Sequence, residues 1–424
     1  PMSILVPFLV FAIGVSHGVQ MINAVGKKAA QGMSVKLASQ HAFRSLLVPG
    51  GVALLSDTIG FMTLLVIDIG IIKELAITAS MGVAVIILTN LLLLPVLMSY
   101  VKLSDKHKGN YSEAEQSSPF WEKVSHCASP KLAIAIVAIT AVLFAWGSYQ
   151  SNNLKIGDLH AGAPALHEDS RYNQDTFLIT DKYEITVDYI SLIIETSPEA
   201  CTSFEVMTAI DEFQWKMQNI PGVQSAISLA SVAKKVNAGY NEGNPKWQVL
   251  PRNQSTMVQA VSRVPTSSGL LNGDCSVMPI ILFMEDHKAE TIDVVVDAVK
   301  RLREEYQTDD LSIKLASGPV GVMAATNEAV ESSQDPMLYY VFGAVIILCL
   351  ISFRSLRATL AVVIPLYVVS VLAQALMTFL EIGLTVSTLP VIALGVGIGV
   401  DYGIYGGGLH ERRSRRDRLV RGCQ

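Results

Sequence analysis

The sequence predicts a polytopic α-helical membrane protein that carries an α+β domain outside the membrane, of the ferredoxin-like, split β-α-β kind. Three observations predict it. Half of the 424 residues are hydrophobic and only 16% are charged, against roughly 25% charged in soluble domains. The missing charge is missing from runs long enough to cross a bilayer. Between two groups of such runs lies a stretch, 151–334, with soluble patterning and 25 acidic against 14 basic residues.

That stretch has a formal net charge of −11, and the rest of the chain one of +6. Basic loops remain on the cytoplasmic side of membranes, so the acidic stretch is placed outside. No basic face points to nucleic acid. The chain opens on Pro1 and passes at once into an apolar run. It shows no targeting segment and reads as a piece of a larger protein.

Taken in order, residues 1–101 hold three membrane helices. The first, 2–24, ends at Lys27 and Lys28, and Lys36, His41 and Arg44 follow in an inner loop. Val35–Leu47 reads as a short interfacial helix. The second span, 46–67, has Pro49, Gly50 and Gly51 in its first turns and Asp57 mid-span. The third, 75–101, closes with Pro95 and Tyr100. Residues 102–130 are a polar cytoplasmic linker, and 131–150 hold a fourth span crossing outward.

Within 151–334, Thr186–Ile194 alternates as a strand and Phe204–Asn219 has helical spacing, closed by Ile220-Pro221-Gly222. Val223–Leu229 is a strand, 233–274 is loop-rich, Val277–Phe283 is a strand and Ala289–Tyr306 a helix. Leu311–Ala316 is a strand, and Gly318-Pro319 opens a helix toward the membrane. Two β-α-β units in one domain give the split β-α-β expectation. Trp247 and Met257 in the loop-rich stretch either line a substrate route or sit on a surface loop. Residues 335–405 then hold three more spans, 337–353, 358–380 and 387–405, and 406–424 form a basic tail that raises a non-native origin.

The last span carries the chemistry. Its core reads Gly395-Val-Gly397-Ile-Gly399-Val-Asp401-Tyr402-Gly403. Gly395, Gly399 and Gly403 repeat at i, i+4 and offer a smooth face to a neighbouring helix. Asp401 follows the stripe and is expected to face the bundle, where a carboxylate is costly and marks a functional site. A second copy exists: Ile13-Gly14-Val-Ser16-His17-Gly18 matches Ile398–Gly403 at an offset of 385 residues. Duplicated, polar-interrupted helices suggest a site at the repeat interface, with Gly14 and Gly18 as the matching packing glycines. Asp57 is a second candidate proton carrier, or a neutral Asp bonded to Ser56 or Thr58. His17 is a relay partner, or a histidine that bonds a neighbouring helix.

Cys201 and Cys275 are the two cysteines of the outer domain, and an oxidising compartment would permit a bridge. The sequence holds no P-loop, nucleophile elbow or metal motif. An enzyme is therefore not expected, nor a cofactor or a metal.

Gly397-Ile-Gly-Val-Asp401-Tyr402-Gly-Ile-Tyr405 resembles the Asp-Tyr motif in the fourth and tenth helices of resistance-nodulation-division (RND) superfamily exporters of the MMPL-like branch. Gly157-Asp158-Leu-His-Ala-Gly162-Ala-Pro164 with Asp169-Ser-Arg-Tyr-Asn173 resembles the opening of their second periplasmic domain. Thr58-Ile-Gly60-Phe61 resembles their fifth-helix motif. The resemblance spans residues 1 to about 405 and maps onto helices four to ten. Ser16-His17 stands where the family often has Asp-Tyr. Helices one to three, eleven and twelve have no counterpart, so this chain alone is expected to be inactive.

The resemblance implies a bacterial inner-membrane exporter, driven by the proton-motive force, of lipophilic or lipid-like molecules. Residues 151–334 would be its periplasmic porter domain. Asp401 and then Asp57 would carry the proton, with Tyr402, Ser16 and His17 as hydrogen-bond partners across the pseudo-repeat. Partners would be a lipophilic substrate, the membrane and a second copy in a homo-oligomer. The rival is a non-transporting lipid- or sterol-sensing protein, or a protein-export accessory, of the same architecture.

Overall fold

The structure is a computed structural model that describes residues 2–102, 129–308, 310–392, 395–401 and 403–404. Most of the linker 102–130, the tail 406–424, Cys127, Cys423, Tyr402 and Tyr405 lie outside the described residues. The chain divides into two compact units, Lys155–Glu328 and the remainder.

The remainder is helical. Among the described residues six helices are long and apolar enough to cross a membrane. The first three spans are α1 (Val6–Ala30), α2 (Val35–Thr63, extended to Val66 by a 3-10 turn), and α3 (Gly70–Ile86) continued through a π-helical turn, Ile87–Leu93, into α4 (Leu94–Tyr100). The fourth is α5 (Pro130–Ser151). Two more follow the outer unit, and a shorter apolar helix, Leu389–Asp401, comes last.

Three expectations change here. Val35–Leu47 is no separate interfacial helix: it is the first part of α2, which runs on through Pro49. A break at membrane depth would leave backbone groups without water, so one lost bond at proline costs less than stopping. The third span starts at Gly70, not 75, and bends through the π turn that carries Asn90. The helix opened by Gly318-Pro319 does not end before the span expected at 337. One helix runs from Pro319 to Phe353 with Pro336 inside it.

The outer unit is α+β. Its elements are α6 (Arg171–Lys182), β1 (Tyr189–Thr196), α7 (Phe204–Gln218), β2 (Val223–Ile227), α8 (Leu229–Tyr240), α9 (Gln254–Val261), β3 (Val277–Met284), α10 (Ala289–Tyr306) and β4 (Leu311–Ser317). The sheet order is β2-β3-β1-β4, and every pairing is antiparallel. This is the split β-α-β arrangement, with α7 and α10 as the two crossovers. Alternation decides the buried face. Ile190, Leu192 and Ile194 of β1 and Met278, Ile280, Leu282 and Met284 of β3 are buried against Met207, Ile210 and Phe213 of α7 and Ile292, Val295 and Val299 of α10.

The stretch 233–274 is not simply loop. Ser228 and Ser231 form a capping box that starts α8, and the Asn253 side chain caps α9. Both helices are short, 12 and 8 residues, at or below the window over which an apolar period can be read. Met257 is fully buried in the core and lines no route, whereas Trp247 is half exposed. β1 begins at Tyr189 and not at Thr186, because Thr186 turns its hydroxyl onto the Asp188 carbonyl. Cys201 and Cys275 form a disulfide with a Cα–Cα distance of 5.6 Å, inside the usual range.

One buried histidine ties three parts of this unit together. His287 lies between β3 and α10, with Nδ1 3.0 Å from Asp188 Oδ1. The Asp188 carbonyl accepts Met284 N–H, and the Asp158 carbonyl accepts Ala289 N–H. The Asp188 carboxylate raises the His287 pKa above its usual value against the opposing effect of burial, with Asp158 and Asp286 adding to the rise. Folding therefore favours the protonated ring. Its stabilisation is full below about pH 6.5, the ordinary histidine value, and is lost as pH rises through the raised folded value. The protection of the Met284 and Ala289 amides, taken as hydrogen exchange relative to the intrinsic rate at each pH, should fall over that interval in the wild type. His287→Asn should flatten the profile; an unchanged profile in the variant would show that the ring is not the cause.

Candidate functional site

The site is built from helix faces. In Leu389–Asp401, Gly397 and Asp401 are four residues apart and share one face. That face meets α2. A Cβ on Gly60 would stand 3.7 Å from Gly397 Cα, and a Cβ on Gly397 would stand 3.5 Å from Asp57 Oδ1. Glycine at both positions lets the two backbones approach closely and sets Asp57 against the last helix. The carboxyls of Asp57 and Asp401 lie within hydrogen-bonding reach of one another. Both are buried, at 2% and 6% exposure.

The third member comes from α1. His17 is 4% exposed. Its Nδ1 lies 3.1 Å from the Ile13 carbonyl, and its Nε2 lies 3.6 Å from Asp401 Oδ2. A nitrogen facing a carbonyl carries the proton, which leaves the Nε2 lone pair turned to Asp401. The gap exceeds a good hydrogen bond by a few tenths of an ångström, so a small rotation closes it. Three helices thus bring together two carboxyls and one imidazole. Two carboxylate anions side by side out of water repel strongly, and one proton between them removes that repulsion. Among the described residues no lysine or arginine pairs with either carboxyl.

The structure separates residues that the sequence grouped. Ser16 is half-buried, and it is His17 that reaches Asp401. Thr58 donates its hydroxyl to the Leu54 carbonyl and does not serve Asp57, so the reading of Asp57 as bonded to a neighbouring threonine does not describe this site. The glycine stripe also divides. Gly399 and Gly403 face Leu366 and Val362 of α12 (Leu356–Phe379). Among the described residues nothing lies within 4 Å of a Cβ placed on Gly395, which is exposed and has no packing role there. The 397/401 face therefore carries the candidate site, and 399/403 is a packing face.

A residue that sequence reasoning missed is Asn90. In the π turn, its amide donates to the Gly14 carbonyl, between the faces of Gly14 and Gly18. π turns are enriched at functional sites, and the signal available was a lone amide in the run Ile-Leu-Thr-Asn90-Leu-Leu-Leu.

A β-branched neighbour makes Gly403 the intolerant glycine. A Cβ there would stand 2.5 Å from Val362 Cγ1 and 3.2 Å from Val362 Cβ. Gly403→Ala should destabilise the protein by about 1–3 kcal/mol through overpacking, whereas Gly395→Ala should be neutral or stabilising by up to about 1 kcal/mol. Thermal melting in detergent checks the contrast, and equal melting of the two variants would refute it.

The MMPL family model matches residues 203–415, just over half of the chain. This chain belongs to the MMPL family. It is a multi-pass membrane protein of the RND type. The archaeal membrane protein MJ1562 of Methanocaldococcus jannaschii is 20% identical over 67% of the chain and 72% of its own length. Among solved structures, the hedgehog release protein Disp from the water bear Hypsibius dujardini superposes with a TM-score of 0.55 at 12% identity, covering 94% of this chain. The translocon-associated protein SecDF of Thermus thermophilus aligns at 11% identity with a TM-score of 0.47. This chain spans about half the length of those two structures, 53% and 44%. At 12% identity the likeness to Disp shows the fold alone.

Proposed function

We propose that this MMPL chain is the membrane core and outer domain of an exporter of lipophilic molecules driven by the proton-motive force. Asp57, Asp401 and His17 would carry the proton, with Tyr402 and Ser16 as the expected hydrogen-bond partners. The observation that carries the reading is the buried meeting of two carboxyls and an imidazole from three helices. A buried ionisable cluster in a membrane bundle is costly unless it is used. A proton crossing about 100 mV releases about 2.3 kcal/mol. Proton entry between Asp57 and Asp401 would remove one negative charge and let the Gly60–Gly397 contact rearrange. Passage to His17 Nε2 would return the negative charge to the carboxyl pair and leave the imidazole cationic, and release of that proton from His17 would restore the starting charge.

Two observations support an oxidising, extracytoplasmic side for residues 155–328: the Cys201–Cys275 bond and the acidic charge beside basic loops elsewhere. A bacterial inner membrane with a periplasmic domain fits both. The unbroken helix Pro319–Phe353 belongs to both units and is the proposed mechanical link. The test is substrate-dependent proton movement in inverted vesicles carrying the full-length protein. Flux that survives Asp57→Asn combined with Asp401→Asn would remove the carboxyls from the mechanism.

The second reading is a lipid- or sterol-sensing protein, or a protein-export accessory. It is favoured by Ser16 standing in the first copy where Asp401 stands in the second. Ligand binding that is indifferent to both substitutions, without proton flux, would select it.

A further inference from the structure

A groove of about 310 Å³ lies between the first turns of α2 and the end of α4. One wall is a single stripe of α2, Lys36, Ser39 and Phe43; the other is a stripe of the third span, Leu92, Val96 and Ser99. The two helices pack together and run in opposite directions, because they belong to consecutive spans. Both walls therefore change from polar to apolar in the same sense: Lys36 and Ser99 mark one end, Phe43 and Leu92 the other.

The polar end is at headgroup depth. The α2 span has 32 residues, about 48 Å of helix, against a hydrocarbon core of about 30 Å. Lys27, Lys28, Lys36 and Lys102 lie at this same end of the helices. Lys36 is exposed and has no ion pair among the described residues.

Ser39 adds an independent observation. It lines the groove, is 2% exposed, and its Oγ has no hydrogen-bond partner. Ser45, Thr58, Thr63 and Ser99 of these helices donate back to a carbonyl three or four residues earlier; Ser39 and Ser56 do not, and of these two only Ser39 lines the groove. A buried hydroxyl with no partner among the described residues is costly, and this one belongs to a residue of the groove wall.

We propose that the groove binds one anionic phospholipid from the leaflet on the basic side. The order along the wall matches the order along a lipid. Lys36 would meet the phosphate and headgroup charge, Ser39 one turn deeper would donate to a glycerol ester carbonyl, and Phe43, Leu92 and Val96 would cover the first part of an acyl chain. A lysine at headgroup depth attracts anionic over zwitterionic lipid. The site is separate from the Asp57–Asp401 cluster and does not depend on its being a proton path.

The test is native mass spectrometry of the full-length protein released from nanodiscs that mix phosphatidylglycerol with phosphatidylcholine. One phosphatidylglycerol should be retained in preference to phosphatidylcholine. Lys36→Glu should weaken that retention on the order of tenfold, the worth of one charge-assisted contact. Val96→Trp, on an exposed residue that would fill the groove, should abolish it, with melting in pure phosphatidylcholine unchanged for both variants. A photo-crosslinker at position 96 of the otherwise unaltered protein should label phospholipid. Equal retention of the two lipids, retention indifferent to both variants, or crosslinks to protein alone would overturn the proposal. The last result would mean that another segment or a second copy covers the groove.

Discussion

Asp401→Asn removes proton-coupled flux from inverted vesicles carrying the full-length protein, down to the background of empty vesicles, while the amount of protein in the membrane stays the same. Asparagine has the size and polarity of a protonated aspartic acid. It can still bond to Asp57 and face His17 Nε2, 3.6 Å away in the wild type. It cannot gain or lose a proton. The variant also removes one of two carboxyls buried side by side, a like-charge contact that opposes folding whenever both are ionised. Stability is thus expected to hold or rise while transport fails, which separates a role in the proton path from a structural one. The measurement is substrate-dependent pH change inside the vesicles, paired with melting of the purified variant. Flux equal to wild type would end the proposal that Asp401 carries the proton and would favour the lipid-sensing reading. A fall in flux with a parallel fall in melting temperature would assign the carboxyl to structure instead.

Breaking the Cys201–Cys275 bond lowers the stability of the outer domain by about 2–5 kcal/mol. The cysteines are 74 residues apart, and the unfolded chain gains the freedom of a loop of that length, about 4 kcal/mol on the chain-entropy account. The bond anchors the segment before α7 to the segment before β3. It therefore joins one crossover helix to a central strand of a sheet whose order is β2-β3-β1-β4. Cys201→Ser, or reductant on the wild type, should lower the melting of residues 155–328 and leave the membrane helices largely unaffected. The check is melting with and without reductant, followed by proteolysis of the outer domain. Identical melting in both conditions would show that the bond is absent in the folded protein or contributes nothing. Cys349, buried in the Pro319–Phe353 helix, is shielded from reagents that attack exposed thiols.

Much of the architecture was legible because its causes are local or set by thickness. A bilayer demands about 20 apolar residues per helix, and the runs around Val6–Ala30, Pro130–Ser151 and Leu356–Phe379 meet that demand in plain composition. In β3, Val277–Met284 alternates between the sheet's two faces, so period alone marks a strand with one buried side. Asp401 stood out because a carboxylate in an apolar helix is costly wherever it points. Two helix starts were not legible: α2 begins at Val35 and runs on through Pro49, and one helix runs from Pro319 through Pro336 to Phe353, because a helix at membrane depth has no water to satisfy a broken end.

By itself the sequence determined that this chain crosses a membrane several times, that it carries an α+β domain of split β-α-β order, and that Asp57, Asp401 and His17 are polar groups needing an explanation. Only the tertiary structure decided that these three meet. The i, i+4 rule identifies a helix face but not the neighbour that covers it. Gly399 and Gly403 lie against α12, Gly397 against Gly60, and Gly395 against nothing described. The same limit hid the choice of His17 over Ser16 and the reach of Asn90 to Gly14. The physical reason is that membrane helices associate through close backbone approach and a few polar contacts between segments far apart in the chain, 344 residues for Asp57 and Asp401. No local preference encodes which of those segments become neighbours.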